Sequence, residues 1–256
     1  MSDWALILGS SSGFGAATAR ELAKGGINIF GIHLDRKAGM DAVNELVDEL
    51  RSYGVLVEFR NMSATDHEKR QNVIDDLVKM DTVNIKVLLH SLAFGALVPI
   101  IDDQDALKQK QIEMTLNVMA SSLVYWAQDL FSNNLISSDS HIFAMTSSGG
   151  HRQWKSYGAV SAAKAALESY CRQLAFELSE HGISVNALQA GVTDTPALRK
   201  IPGNEQMIER AESTNPGKRL TLPTDIAKVI AMIATSNASW MTGNTIRVDG
   251  GEDLTG

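Results

Sequence analysis

The chain is 256 residues long, 44% hydrophobic, and carries a net charge of −7. That length and apolar content suffice for one sizeable core, so a single domain over 1–256 is expected. The acidic balance, with basic residues scattered along the chain, gives a nucleic-acid role no electrostatic support. The single cysteine, Cys171, permits no intramolecular disulfide and reads as a buried small hydrophobe. Met1-Ser2-Asp3-Trp4 leads straight into a strand-like run, without the basic and long apolar regions of a secretory signal. No apolar stretch reaches the roughly 18 residues of a membrane span. A soluble, cytoplasmic protein with no membrane partner is the expectation.

Short apolar runs alternate with longer helical patterns almost from end to end. Strands are expected at 5–8, 27–33, 55–60, 85–90, 141–145, 184–188 and 245–248. Between them lie helical patterns such as 41–53, with Val43, Leu46, Val47 and Leu50 at i, i+3, i+4 and i+7, and the longer 111–130 and 157–180. This alternation predicts an α/β protein with one doubly wound, parallel, seven-stranded sheet and helices on both faces. The segment 194–222 breaks the rhythm, with Pro196, Pro202 and Pro216 in a mixed helical stretch. It is either a surface insertion or a lid; its place after the carboxyl end of a strand favours the lid.

The first strand runs into Gly9-Ser10-Ser11-Ser12-Gly13-Phe14-Gly15, and an alanine-rich helix follows over 16–24. Glycines let a backbone turn sharply and approach a pyrophosphate, whose charge sits at the helix N-terminus. The second strand ends in His33-Leu34-Asp35-Arg36-Lys37. An acid about 20 residues beyond the glycines accepts from a ribose 2′-hydroxyl and repels a 2′-phosphate, whereas Arg36 and Lys37 attract that phosphate. NADPH is the first expectation and NADH the alternative.

The Gly-x-x-x-Gly-x-Gly spacing resembles the short-chain dehydrogenase/reductase family, which has a Rossmann fold, and the resemblance extends over essentially the whole chain. Ala190-Gly191-Val192-Thr193-Asp194-Thr195 is similar to that family's Pro-Gly-x-x-x-Thr segment apart from its first residue. Met241-Thr242-Gly243 and Val248-Asp249-Gly250-Gly251 resemble its C-terminal signature. The resemblance implies a nucleotide site formed by Gly9, Ser11, Ser12, Gly13, Phe14 and Gly15 at the turn, and by His33, Asp35, Arg36, Asn61 and Met62 towards the adenosine. Ser91, Ala93, Asn117, Tyr157, Lys164 and Gly191 complete it. Val192 would meet the carboxamide through its backbone, and Thr195 the carboxamide or pyrophosphate. Asn117 stands where the family often has an asparagine; its alternative is a hydrogen bond to helix backbone.

Tyr157 and Lys164 are seven positions apart, whereas many of these reductases place them four apart; the position four before the lysine is Val160. Seven residues span about two helical turns, roughly 10.5 Å, and return to nearly the same face. The lysine thus keeps the place where the family holds the nicotinamide ribose, and only the acid has moved. Carbonyl reduction needs its proton donor at the carbon that receives hydride. In an α,β-unsaturated thioester, hydride lands on the β-carbon and charge gathers on the more distant carbonyl oxygen. A displaced phenol suits the second case.

This spacing resembles the enoyl-acyl-carrier-protein reductases, as does His90-Ser91-Leu92-Ala93. Thr193-Asp194-Thr195-Pro196-Ala197-Leu198 with Pro202 is similar to the lid of the Bacillus-type NADPH-dependent subgroup. Tyr157, Lys164 and Ser147 are the candidate catalytic residues. Ser147, seventeen before the lysine, replaces the second tyrosine of the main group; it polarises a substrate oxygen or is a polar strand end. His90 reads as a strand-end residue near the adenine or a polar core group. The six histidines show no spacing for a metal.

The expected function is reduction of trans-2-enoyl thioesters carried on acyl-carrier protein or coenzyme A. Arg199, Lys200, Arg210, Lys218 and Arg219 offer a basic portal near the lid or an ordinary solvated surface. The resemblance implies a homotetramer. Two rivals stay open: a 3-oxoacyl or other carbonyl reductase, and a non-catalytic nucleotide-binding protein.

Overall fold

A computed structural model describes residues 2–80, 82–236 and 238–255. Met1 and Gly256, the ends of the expected domain, lie outside the described residues. In chain order the elements are β1 (Ser2–Leu8), α1 (Gly13–Lys24), β2 (Asn28–His33), α2 (Met40–Ser52), β3 (Val57–Asn61), α3 (His67–Lys79) and β4 (Val83–His90). Then come α4 (Gln109–Leu116), a π-helical turn (Asn117–Ser121), α5 (Ser122–Ser132), β5 (His141–Ser147), α6 (Gly158–Leu178) and β6 (Ser184–Ala190). The chain closes with α7 (Asn204–Thr214), α8 (Pro223–Thr235), β7 (Thr245–Val248) and α9 (Glu252–Thr255).

The seven strands form one parallel sheet in the order β3-β2-β1-β4-β5-β6-β7. Parallel strands buried on both faces need apolar residues in both alternating sets. In β1, Trp4, Leu6 and Leu8 join the core on one face, while Ala5 and Ile7 join the core on the other. The strand order reverses between β1 and β4, where carboxyl ends diverge and an α/β sheet opens its ligand crevice. Among the described residues, no helix is long and apolar enough to cross a membrane.

Three departures from the expected elements bear on the site. First, β5 and β6 each run two residues further, pairing Thr146 with Gln189 and Ser147 with Ala190. Ladder bonds belong to the backbone, so the polar Thr146 and Ser147 do not end β5 where β6 continues to pair with it. Second, the helix expected over 111–130 is interrupted by the π-helical turn, and the Ser122 hydroxyl donates to Val118 O at 2.8 Å there. Such a bulge re-aims side chains over a functional cleft. Third, α6 begins at Gly158, so Tyr157 caps the helix from outside its first turn.

Candidate active site

At the switch point the backbone itself forms the floor. Gly9 lies at φ +91, and a Cβ there would collide with the Ser91 carbonyl oxygen at the end of β4. A Cβ on Gly15 would collide with the Gly9 carbonyl oxygen. The turn is tied to β2, because Gly9 N, Ser10 N and the Ser10 hydroxyl all donate to Ile32 O. The first turn of α1 carries no acidic residue, and the Ser12 hydroxyl does not cap it. Its leading N–H groups therefore remain available to an anion, which the helix dipole also favours. A cradle that side chains would fill, at an uncapped helix start, fits a dinucleotide pyrophosphate. Gly13 faces the Thr195 side chain across the crevice, and Phe14 lines it.

Around the end of β2, the His33 ring is buried against Phe59. Its Nδ1 lies 2.9 Å from Asp35 Oδ2. The Asn61 amide brackets the Asp35 backbone, accepting from its N–H at 3.1 Å and donating to its carbonyl at 2.9 Å. Met62 is buried in the core and Arg36 is exposed. Ser91 and Ala93 line the cleft. Asn117 opens the π-helical turn, half-buried, and is not among the residues lining that cleft.

At the other end, β5 carries Ser147 beside the Ala190-Gly191 end of β6. A 3₁₀ turn (Ser148–Gly150) leads into an irregular approach in which Ser156 adopts φ +61. Tyr157 N donates to Trp154 O at 3.2 Å, and Tyr157 O accepts from Ser161 N at 2.8 Å. The phenol is therefore aimed by the turn before the helix. Gly149 permits its approach, since a Cβ there would strike the Tyr157 ring and lie 3.1 Å from Ser147 Oγ. Burial raises the Tyr157 pKa, and the nearby Ser147 hydroxyl acts in the opposite direction. Ser147 Oγ is itself buried without a hydrogen-bond partner in acceptable geometry. The Ser147 hydroxyl thus lies beside the buried Tyr157 phenol at the cleft.

Lys164 is buried, and its Nζ donates to Met145 O at 2.7 Å. Burial lowers its pKa to about 8, against which the nearby Glu168 carboxylate acts. Glu168 is held by the Thr146 hydroxyl at 2.6 Å. Val160, between phenol and ammonium in sequence, is buried and packs with Met119 and Ala163. His90 is a polar core group: its Nε2 lies 2.8 Å from the Ser122 hydroxyl. That hydroxyl also donates to Val118 O. Burial first, and the Lys164 charge second, depress its pKa to about 3. Cys171 is buried, which pushes its thiol up to about 12.

These groups converge on one cleft of about 440 Å³. It gathers Phe14, Ser91, Ala93, Ser147, Tyr157, Lys164, Gly191, Val192 and Thr195 from the expected set. It also takes in Phe94, Arg152, Trp154 and Glu252, which no spacing in the sequence singled out. Only Glu252 left a trace, as the residue directly after the recognised Val248-Asp249-Gly250-Gly251. The segment 194–222 has no strand among its described residues, but a short 3₁₀ turn (Leu198–Lys200) and α7. Trp154 Nε1 donates to Pro202 O at 3.3 Å, joining the approach to Tyr157 to this segment. The five cations do not form one open cluster. Arg199 pairs with Asp194 and Arg219 with Asp225, while Lys218 donates to Ser213 O. Lys200 and Arg210 line the cleft. Among the described residues no group of His, Cys, Asp and Glu is placed to hold a metal ion.

A doubly wound parallel sheet with a glycine cradle at its switch point is a dinucleotide-binding architecture. A family model described as Enoyl-(Acyl carrier protein) reductase matches residues 9–252, and the chain belongs to the short-chain dehydrogenase/reductase family. Its relatives include the (S)-acetoin-forming diacetyl reductase of Staphylococcus epidermidis, 25% identical with 98% of each chain covered. They also include an NADH enoyl-acyl-carrier-protein reductase of Nostoc sp., 27% identical over 93% of this chain and 90% of the relative. A solved enoyl-acyl-carrier-protein reductase (NADH) from Aquifex aeolicus superposes with a TM-score of 0.86 at 22% identity. The match covers 100% of this chain and 97% of that one, and shows the shared fold.

Proposed function

We propose that the protein reduces the 2,3 double bond of trans-2-enoyl thioesters, within one catalytic domain that spans the chain. The observation that carries this is the content of the helix turn nearest Lys164. Val160 there is buried and apolar, while the phenol stands seven residues back, before the helix begins.

A dihydronicotinamide held in the cleft would supply the hydride taken up at the substrate β-carbon. Lys164 holds the ribose and lends positive charge to the cleft. Tyr157 would hydrogen-bond the thioester oxygen, where negative charge collects as the enolate forms, and the enolate would then take a proton from water at the α-carbon to give the saturated thioester. Ser147 assists at the same oxygen. Leu198, Ile201 and Met207 supply apolar cover for the acyl chain. Lys200 and Arg210, at the same cleft, suit the phosphate-bearing arm of acyl-carrier protein or coenzyme A. The glycine turn, with Val192 N and Thr195, receives the dinucleotide. NADPH is preferred because the Asp35 carboxylate is turned onto His33 while Arg36 and Lys37 are exposed. A homotetramer completes the proposal.

A second reading, reduction of a 3-oxoacyl or other carbonyl, draws on Ser147, whose unpartnered hydroxyl lies close to Tyr157. The diacetyl reductase relative is consistent with it. The two separate when the protein is given NADPH or NADH with crotonyl and acetoacetyl thioesters and saturated and hydroxylated products are measured. Saturated product from the crotonyl ester is expected. Turnover of the acetoacetyl ester alone would transfer the assignment to the carbonyl reading, and dinucleotide binding without turnover of either would leave a non-catalytic protein.

A further inference from the structure

Beyond β7, Gly250 at φ +64 and Gly251 at φ +84 turn the chain back over the cleft. The next residue, Glu252, reaches the nucleotide side of that cleft. Its carboxylate accepts from Val192 N at 3.0 Å through one oxygen and 3.2 Å through the other. Gly191 makes room for this, since a Cβ there would lie 2.7 Å from Glu252 Oε2. The contact is built into the tail. Asp249 accepts from Gly251 N at 2.9 Å and from Asp253 N at 3.0 Å, holding the turn. The buried Asp253 carboxylate is gripped by Arg152 at 2.8 Å and Arg247 at 3.1 Å.

The segment that carries Val192 also carries Thr195, which faces Gly13 of the glycine turn. Val192 N therefore belongs to the cofactor side of the cleft. A backbone N–H has one hydrogen to give, and here a carboxylate already takes it. Burial, with Asp249 nearby, holds the Glu252 carboxyl above its usual range. The Val192 N–H, Asn215 and Arg152 act the other way.

We propose that Glu252 belongs to the nicotinamide end of the cofactor site as an internal competitor, which must leave Val192 N before a dinucleotide's carboxamide can take that donor. This rests on the reading that the cleft holds a nicotinamide dinucleotide. Removing the carboxylate should strengthen binding of the whole dinucleotide while leaving binding of its adenosine half alone. A charged hydrogen bond in a half-buried site, offset by the cost of burying the carboxylate, corresponds to about a tenfold change in Kd.

The test is calorimetric titration of the intact protein, Glu252→Ala and Glu252→Gln, with NADPH, NADH, ADP-ribose and 2′-phospho-ADP-ribose. Expected is an approximately tenfold lower Kd for the reduced dinucleotide in Glu252→Ala, and a smaller decrease in Glu252→Gln, whose neutral amide is a weaker acceptor. Both ADP-ribose ligands should bind all three proteins within about twofold of one another. The glutamine keeps the shape of the tail, so it decides the matter if the alanine loosens the C-terminal segment. Tightening in neither variant, or an equal shift for the ADP-ribose ligands, would overturn the role of Glu252. Failure of every protein to bind any dinucleotide would instead remove the cofactor reading and this role with it.

Discussion

The glycine turn after β1 and the approach to Tyr157 after β5 are both sharp excursions from the carboxyl ends of parallel strands, but they are held in shape differently. The first is backbone against backbone: Gly9 and Gly15 lack the atoms that would collide with Ser91 and Gly9 carbonyls, and Ile32 O anchors the loop. The second is held by contacts from elsewhere. Trp154 reaches Pro202, Arg152 reaches Asp253, and Gly149 admits the Tyr157 ring beside Ser147. The first excursion is thus fixed by backbone contacts with β2 and β4, and the second by side-chain contacts from two distant segments, 194–222 and the C-terminal tail.

That division predicts separable losses. Tyr157→Phe removes only a hydroxyl, so kcat for an enoyl thioester should fall roughly 10²- to 10⁴-fold. Dinucleotide Kd by calorimetry should stay within about threefold; an unchanged kcat would end the assigned role of the phenol. Gly15→Ala should do the reverse, driving a Cβ into the Gly9 carbonyl. An overlap of that kind costs about 1–3 kcal/mol, so NADPH should bind about 10- to 100-fold more weakly. The near-ultraviolet circular dichroism of the protein should persist.

Lys164 offers a pH handle on the catalytic end. Its folded pKa of about 8 means that the ammonium is present below that value and lost above it. One unit higher leaves roughly a tenth of the protein charged. About half is charged at pH 8, so turnover should decline about fivefold between pH 8 and pH 9, and a flat kcat profile across that range would contradict an electrostatic role. A comparably small effect is expected from Trp154→Ala, which unties the Tyr157 approach from the 194–222 segment. A loss of one weak hydrogen bond and some packing, about 1 kcal/mol, should lower kcat some fivefold and leave dinucleotide Kd unchanged.

Much of the scaffold was legible in the residues. Seven apolar runs, each too short to be a helix and separated by amphipathic patterns, correspond to the seven observed strands, with β7 matching residue for residue. The strand ends were harder to read, because the polar Thr146 and Ser147 continue β5 through ladder bonds supplied by β6. The π-helical turn at Asn117–Ser121 was equally hidden, and beside it Ser122 meets His90 from another part of the chain. The cations read as either a basic portal or a solvated surface divide for the same reason, with Lys200 and Arg210 at the cleft. Adjacent cations in sequence found carboxylate partners in space, as Arg199 did with Asp194 and Arg219 with Asp225.

The amino-acid order alone determined the alternating α/β architecture, the glycine turn and the displacement of the tyrosine from the lysine. The alternation and the spacing follow from periodicity between residues close along the chain, and the glycines mark a backbone turn tight enough to exclude side chains. Tertiary structure decided which side chains meet at the cleft: an unpaired Ser147 hydroxyl beside Tyr157, a buried ammonium at Lys164, and Glu252 on the Val192 amide. Burial and contact between distant segments set those protonation states and hydrogen bonds. Such forces arise only once the sheet has brought the ends of β1, β4, β5 and β6 together.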